Sequence, residues 1–196
     1  MSTSYAKPET LLGVALAPID WTRSVGLVMT FSLLTALAAQ IRIPIGPVPI
    51  TGQTFVVLLS GALLGSRMGA AAIIAYLIEG AVGLPFFAGG SSGLVHLFGP
   101  AGGYLVAFPA AAFVTGAFAE NGWDKHFLTA VSAMFVGSLI ILLTGWSWFA
   151  LVTRTPMTAA FKLTVAPFII GDIVKVVLAA AVLPVGWMLL KRKASS

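Results

Sequence analysis

Six apolar segments divide this chain, and they restrict its fold more than any motif does. They run about Ser24–Ile41, Ile50–Leu64, Met68–Val82, Tyr104–Phe118, Phe127–Phe149 and Ala166–Leu190. A helix needs about 20 mostly apolar residues to cross a bilayer. Runs this continuous specify helices, because a membrane barrel alternates polar and apolar residues over segments of about ten. Several segments are short for a full span, so the bundle is expected to be thin or irregular at one face. The chain is 59% hydrophobic and only 9% charged, with a mean hydropathy of +1.02. No soluble domain of this size has that balance. The expectation is an all-α integral membrane protein of six transmembrane helices. It forms a single transmembrane domain over residues 1–196, in which residues 1–23 are an N-terminal extension with no assigned function.

Against that background, charges inside the apolar segments stand out. Asp172 and Lys175 lie within the sixth. An ionised side chain in a bilayer costs roughly 2.5–3.5 kcal/mol on insertion scales, so such residues face a protein interior and meet a partner. Residues three apart share a helix face. This face therefore offers an anion beside a cation, either as an ion pair that fixes helix packing or as a site for a polar, anionic small molecule. Intramembrane ionisable residues favour the second reading. Glu79, in the third segment, is a further such charge; it can touch a ligand, pair with Lys175 or reach the outer headgroups.

Lysine and arginine set the orientation. With the N-terminus cytoplasmic, the inside holds Lys7, Arg23, Arg67, Lys125, Lys191, Arg192 and Lys193, and the outside holds Arg42, Arg154 and Lys162. The excess places both termini in the cytoplasm. Two unusual connections then fall outside. Ile43-Pro-Ile-Gly-Pro-Val-Pro49 is too rich in proline for a helix and too apolar for an exposed loop; Gly83–Gly103 mixes glycine with aromatics. Irregular backbone at a membrane is tolerated where it lines a cavity or is buried in protein. Glu79 and Tyr104 lie near the outer ends of their helices. Asp172 lies ~9 Å into the sixth, at 1.5 Å per residue. Polar groups thus gather at one external depth, as a ligand pocket loaded from outside requires.

Around the second segment, Gln40, Thr51, Gln53 and Thr54 can hydrogen-bond a ligand or satisfy backbone freed by the prolines; Gln53 is the best single candidate. Phe86, Phe87, Gly89 and Gly90 read as a flexible lid with aromatic cover, or as interfacial anchors. Ser32-x-x-x-Ala36 is a small-residue pattern that lets another helix approach closely, in a partner or within this bundle. Gly90-Ser-Ser-Gly93 matches a sequence pattern of intramembrane serine proteases. A serine nucleophile needs a histidine base within reach; His96 follows Ser92 by four residues in a loop, and His126 falls at the other face. The chain has no cysteine, no histidine grouping with metal-ligand spacing and no phosphate-binding G-x-x-x-x-G-K-[ST] loop. The net charge of +5 reflects cytoplasmic anchoring and calls for no nucleic acid.

Four stretches taken together carry a resemblance: Ile43-Pro-Ile-Gly-Pro-Val-Pro-Ile-Thr-Gly-Gln-Thr-Phe55, Gly80-Ala-Val-Gly-Leu-Pro-Phe-Phe-Ala-Gly-Gly90, Phe98-Gly-Pro-Ala-Gly-Gly-Tyr-Leu105 and Pro167-Phe-Ile-Ile-Gly-Asp-Ile-Val-Lys175. The chain resembles the BioY family, the biotin-specific substrate-binding (S) subunits of energy-coupling-factor vitamin transporters, from about Val25 to Leu190. The resemblance implies six helices and an externally open biotin pocket. It also implies a plasma-membrane location and coupling to a transmembrane T subunit with two ATP-binding subunits. The chain would then be no enzyme, and biotin its transported ligand rather than a cofactor. The candidate biotin-binding residues are Asp172, Lys175, Glu79, Gln53, Tyr104, Phe87, Gly89 and Gly90. The family commonly carries Ala-x-x-x-Ala on its first helix to dock the T subunit; Ser32 and Ala36 occupy that position here. The alternatives are an S subunit or secondary transporter for another small vitamin and, more remotely, a protease using Ser92. Sequence does not decide which charge meets which end of biotin.

Overall fold

The computed structural model describes residues 10–17 and 20–194, with side chains through Leu190. Residues 1–9, 18 and 19 of the N-terminal extension therefore lie outside the described residues, as do the side chains of the Lys191–Lys193 cluster. Among the described residues the order is α1 (Leu11–Ala15), α2 (Trp21–Gln40), β1 (Arg42–Ile43), β2 (Ile50–Thr51), α3 (Gln53–Leu64), α4 (Ser66–Ala81), α5 (Leu94–Phe98), α6 (Gly102–Glu120), a 3₁₀ turn (Trp123–Lys125), α7 (Phe127–Thr153), α8 (Met157–Thr164) and α9 (Phe168–Ala194).

All six apolar segments form helices: α2, α3, α4, α6, α7 and α9. Four are long and apolar enough to cross a membrane: Trp21–Gln40, Gly102–Glu120, Phe127–Thr153 and Phe168–Leu190. α3 has only 12 residues and α4 only 16, about 18 and 24 Å at 1.5 Å per residue. The expected thinness at one face is thus local to this pair. Gly65 separates the two helices. Its φ of +90° favours glycine. The Glu120 carboxylate accepts from the Ser66 N–H at 2.8 Å, which places an anion at the start of α4, where the helix dipole favours one.

Glycine also sets how closely the helices pack. A Cβ on Gly61 would overlap the Ala112 carbonyl oxygen of α6, and one on Gly116 would overlap the Ser66 backbone of α4. A Cβ on Gly69 would come within 2.7 Å of Gly61 Cα. α3, α4 and α6 therefore meet backbone to backbone, a contact that lipid-embedded helices make through small residues. Around this junction Val57, Leu58, Ile73, Phe108, Ala111 and Met134 are buried in one continuous apolar core.

Three features go beyond the sequence expectation. The N-terminal extension contributes α1, capped by Thr10, and Leu11 packs at Gly186 of α9. The proline-rich connection folds as a two-stranded antiparallel hairpin, pairing Arg42 with Thr51 and Ile43 with Ile50. Between α7 and α9, α8 forms after Pro156, and Trp146 of α7 donates to the Met157 carbonyl at 3.0 Å. At the end of the bundle away from the hairpin, Trp187 donates to the buried Asp124 carboxylate at 2.6 Å. Burial pushes that carboxyl above its usual range, and the Trp187 bond opposes the shift.

Candidate functional site

A cavity of about 570 Å³ opens at the end of the bundle where α2 and α4 finish and α3, α6 and α9 begin. This is within the 300–1,000 Å³ typical of small-molecule sites. The β1–β2 hairpin forms one wall, and the segment 87–101 with α5 covers another. Phe87, Leu105, Phe108, Ile141 and Phe168 make most of its surface apolar. Among the described residues its charged side chains are Lys175 and Arg42, and no aspartate or glutamate lines it.

Lys175 enters from the first turns of α9. Its side chain is 17% exposed and donates to Thr54 Oγ1 at 2.9 Å and to Asp172 Oδ1 at 3.5 Å. The spacing of three that puts both on one helix face thus yields an ion pair. Only the cation reaches the cavity. Asp172 stands behind it, buried, and accepts from Ser138 Oγ of α7 at 3.2 Å. Asp172 is not itself in the lining; it holds Lys175 and ties α9 to α7.

Gln53 lines the cavity at the first position of α3. Its Nε2 donates to the Tyr76 hydroxyl, and its Oε1 accepts from Thr51 Oγ1 at 2.8 Å. The Tyr76 hydroxyl in turn donates to the Phe86 carbonyl at 3.4 Å, and its ring is edge-on to Phe87, with centroids 5.7 Å apart. A polar chain thus joins the cavity floor to the covering segment. Tyr104 also lines the cavity, but its hydroxyl is spent on the Thr164 carbonyl at 2.6 Å. Its ring stacks on Phe168 at 5.7 Å. A Cβ on Gly145 would collide with that ring, so glycine on α7 makes room for it. Tyr104 offers the cavity a ring surface rather than a hydroxyl.

In the covering segment, Phe87 and Gly89 line the cavity, while Gly90 does not. Phe87 is buried and occupies the space left by the missing side chain of Gly80. Gln40 Nε2 donates to the Phe87 carbonyl at 3.3 Å, and Phe87 pairs with Ser91 across a tight turn. Gly89 and Gly90 have φ of +72° and +73°. The role of Gly90 is therefore to make the turn that carries Phe87 and Gly89 inward.

Glu79 stands apart from the cavity. It is absent from the lining and accepts a hydrogen bond from Ser32 Oγ of α2. The carboxyl thus joins α2 to α4. The same contact corrects the docking face: Ser32 and Ala36 are 0% and 4% exposed, turned into the bundle and closed to a partner. The serine protease arrangement has no support in the geometry. Ser91 Oγ donates to the Ala88 carbonyl at 3.0 Å, the His96 ring packs against Phe87 at 6.1 Å, and no hydrogen bond joins Ser92 to a histidine among the described residues. Those residues also contain no cluster of three metal-ligating side chains.

Arg42 and Phe168 line the cavity without having been singled out, and so does His96, considered only as a protease base. In the sequence Arg42 reads only as an outer-loop charge; hairpin pairing with Thr51 turns it toward the site.

Comparison with known proteins gives a consistent set of matches. The sequence model of the BioY family matches residues 6–192. A protein of Pyrococcus horikoshii named probable biotin transporter BioY is 46% identical over 154 residues, 78% of this chain and 89% of that protein. The biotin transporter BioY of Rhizobium etli is 36% identical over 182 residues, 83% of this chain and 97% of its own. Among solved structures, the S-component for biotin from an ECF-type ABC transporter superposes with a TM-score of 0.76 at 25% identity, covering 83% of this chain and 89% of that one.

Proposed function

The chain belongs to the BioY family, and on that premise we propose that the cavity beside Lys175 is its biotin site. The protein is a multi-pass membrane subunit for biotin transport of the S-component type, and not an enzyme. The observation that carries the site is an apolar cavity with a cationic side chain at one end and no acidic lining among the described residues. Biotin presents an apolar thiophane and tail, a ureido ring with two N–H donors and a carbonyl acceptor, and a carboxylate. Phe87, Phe108, Tyr104 and Phe168 cover the apolar part. Thr51, Thr54 and the unused hydrogen-bonding capacity of Gln53 serve the ureido group. Gly89 and Gly90 let segment 85–99 close over the ligand.

In this reading all six long segments span the membrane, with the short α3–α4 pair helped across by the surrounding helices. The cavity faces outward. Arg23, Arg67 and Lys125 sit at the opposite end, which supports a plasma-membrane protein with both termini cytoplasmic. Energy for uptake comes from a T subunit and two ATP-binding subunits, a reading supported by the ECF-type transporter whose S-component this chain resembles. With Ser32 and Ala36 buried, the T subunit docks on another surface.

Isothermal titration of the purified protein tests the assignment. Biotin should bind saturably at one site. In liposomes the chain alone should bind biotin without accumulating it against a gradient. Saturable heat with thiamine or riboflavin and none with biotin would move the substrate to another vitamin; accumulation by the chain alone would remove the need for the ATP-hydrolysing partners.

A further inference from the structure

Resting on the biotin reading of the cavity, we propose that Arg42 recognises the cargo's carboxylate, so that the site selects the ionised acid at its mouth and receives the ring system at its Lys175 end. Two cations line the cavity, and they differ in how their charge is met. Lys175 is already paired with Asp172 at 3.5 Å and bonded to Thr54, so this pair brings no net charge to the site. Its remaining capacity is that of a donor, suited to a carbonyl oxygen. Arg42 lines the same cavity from the hairpin, and no carboxylate lies in salt-bridge contact with it among the described residues. The net positive charge of the site is therefore Arg42's.

Its placement also suits a carboxylate. Arg42 is solvent-exposed, so its charge carries little desolvation cost before a ligand arrives. A planar guanidinium meets a carboxylate with two parallel N–H donors. A Cβ on Gly89 would come within 2.5 Å of Arg42 Nη1 and 2.6 Å of Cζ. The guanidinium thus lies on the bare face of Gly89, whose φ of +72° itself favours glycine. A carboxylate held by Arg42 sits directly under the covering segment, which links recognition of the acid to closure. The polar groups away from Arg42, namely Thr54, Gln53 and Lys175, are the ones that fit a ureido ring.

The test compares biotin with biotin amide, which differs at the carboxylate alone, by titration of the wild type and of Arg42→Gln, Arg42→Lys and Lys175→Met. Arg42 is on a surface hairpin, and thermal unfolding of each variant confirms that it is folded. Wild type should bind the acid about tenfold tighter than the amide, the scale of one charge-assisted contact. Arg42→Gln should lose about tenfold for the acid, leave the amide unchanged and abolish the preference. Arg42→Lys should retain part of it. Lys175→Met should weaken acid and amide together. Arg42→Gln that keeps the preference, or weakens both ligands equally, overturns the assignment of Arg42 while leaving the biotin site intact. The same holds if Lys175→Met alone removes the preference. Wild type that binds neither ligand overturns the biotin reading and this inference with it.

Discussion

Replacing Lys175 by methionine should lower biotin affinity by at least tenfold, about 1.4 kcal/mol. Two effects add. The cavity loses the cationic donor that enters it from α9, and charge-assisted hydrogen bonds are about twice as strong as neutral ones. Asp172 also loses its cation while remaining buried with Ser138 as its other partner. Breaking a buried pair by removing one member costs about 3–5 kcal/mol. The variant should therefore melt below wild type as well as bind weakly, and titration of its folded fraction separates the two. Asp172→Asn should do less to binding, because Asp172 stands behind the cavity and an asparagine can still accept from Ser138. Wild-type affinity in folded Lys175→Met would return the pair to a purely structural role. A larger binding loss in Asp172→Asn than in Lys175→Met would put the carboxylate, not the amine, against the ligand.

The second large effect is expected far from the cavity. Gly61→Ala should destabilise the bundle by about 1–3 kcal/mol, the usual cost of overpacking. The atom its Cβ would overlap is the Ala112 carbonyl oxygen, with the carbonyl carbon 2.9 Å away. Those are backbone atoms and cannot swing aside as a side chain does, so α3 and α6 must separate. Gly69 and Gly116 belong to the same junction and would shift with them. Thermal unfolding in detergent reads the effect. An unchanged midpoint would mean that α3 and α6 do not pack at backbone distance.

Hydropathy was enough to locate the six main helices, because lipid forces the backbone to satisfy itself within continuous apolar runs. Asp172 and Lys175 were conspicuous for the same reason: charge in such a run requires a partner. The ion pair itself was one of the two readings the spacing allowed, but its placement relative to the cavity was not legible. A spacing of three shows that two side chains share a face, but not which of them reaches a cavity built by three other helices. Glu79 illustrates the limit. Its depth matched the site, yet its direction around α4 aims it at Ser32, and depth says nothing about direction. Ser32 and Ala36 failed by the same route, since small spacing specifies close approach without naming the neighbour. Arg42 escaped because a two-residue strand on each side of a proline turn leaves almost no periodic pattern. α8 escaped because its eight residues mix threonine, lysine and apolar side chains without the long apolar run that marks a span.

The central claim, that biotin occupies the cavity between the β1–β2 hairpin and segment 85–99, is tested most directly by hydrogen exchange resolved along the chain. Saturating biotin should slow exchange in residues 85–99 and around Thr51–Thr54, where the cavity is lined, and leave the α6–α7 turn at Trp123–Lys125 unchanged. Thiamine and riboflavin should have no such effect. Exchange in both segments that is unaltered by saturating biotin, or slowed equally by the other vitamins, would contradict the account.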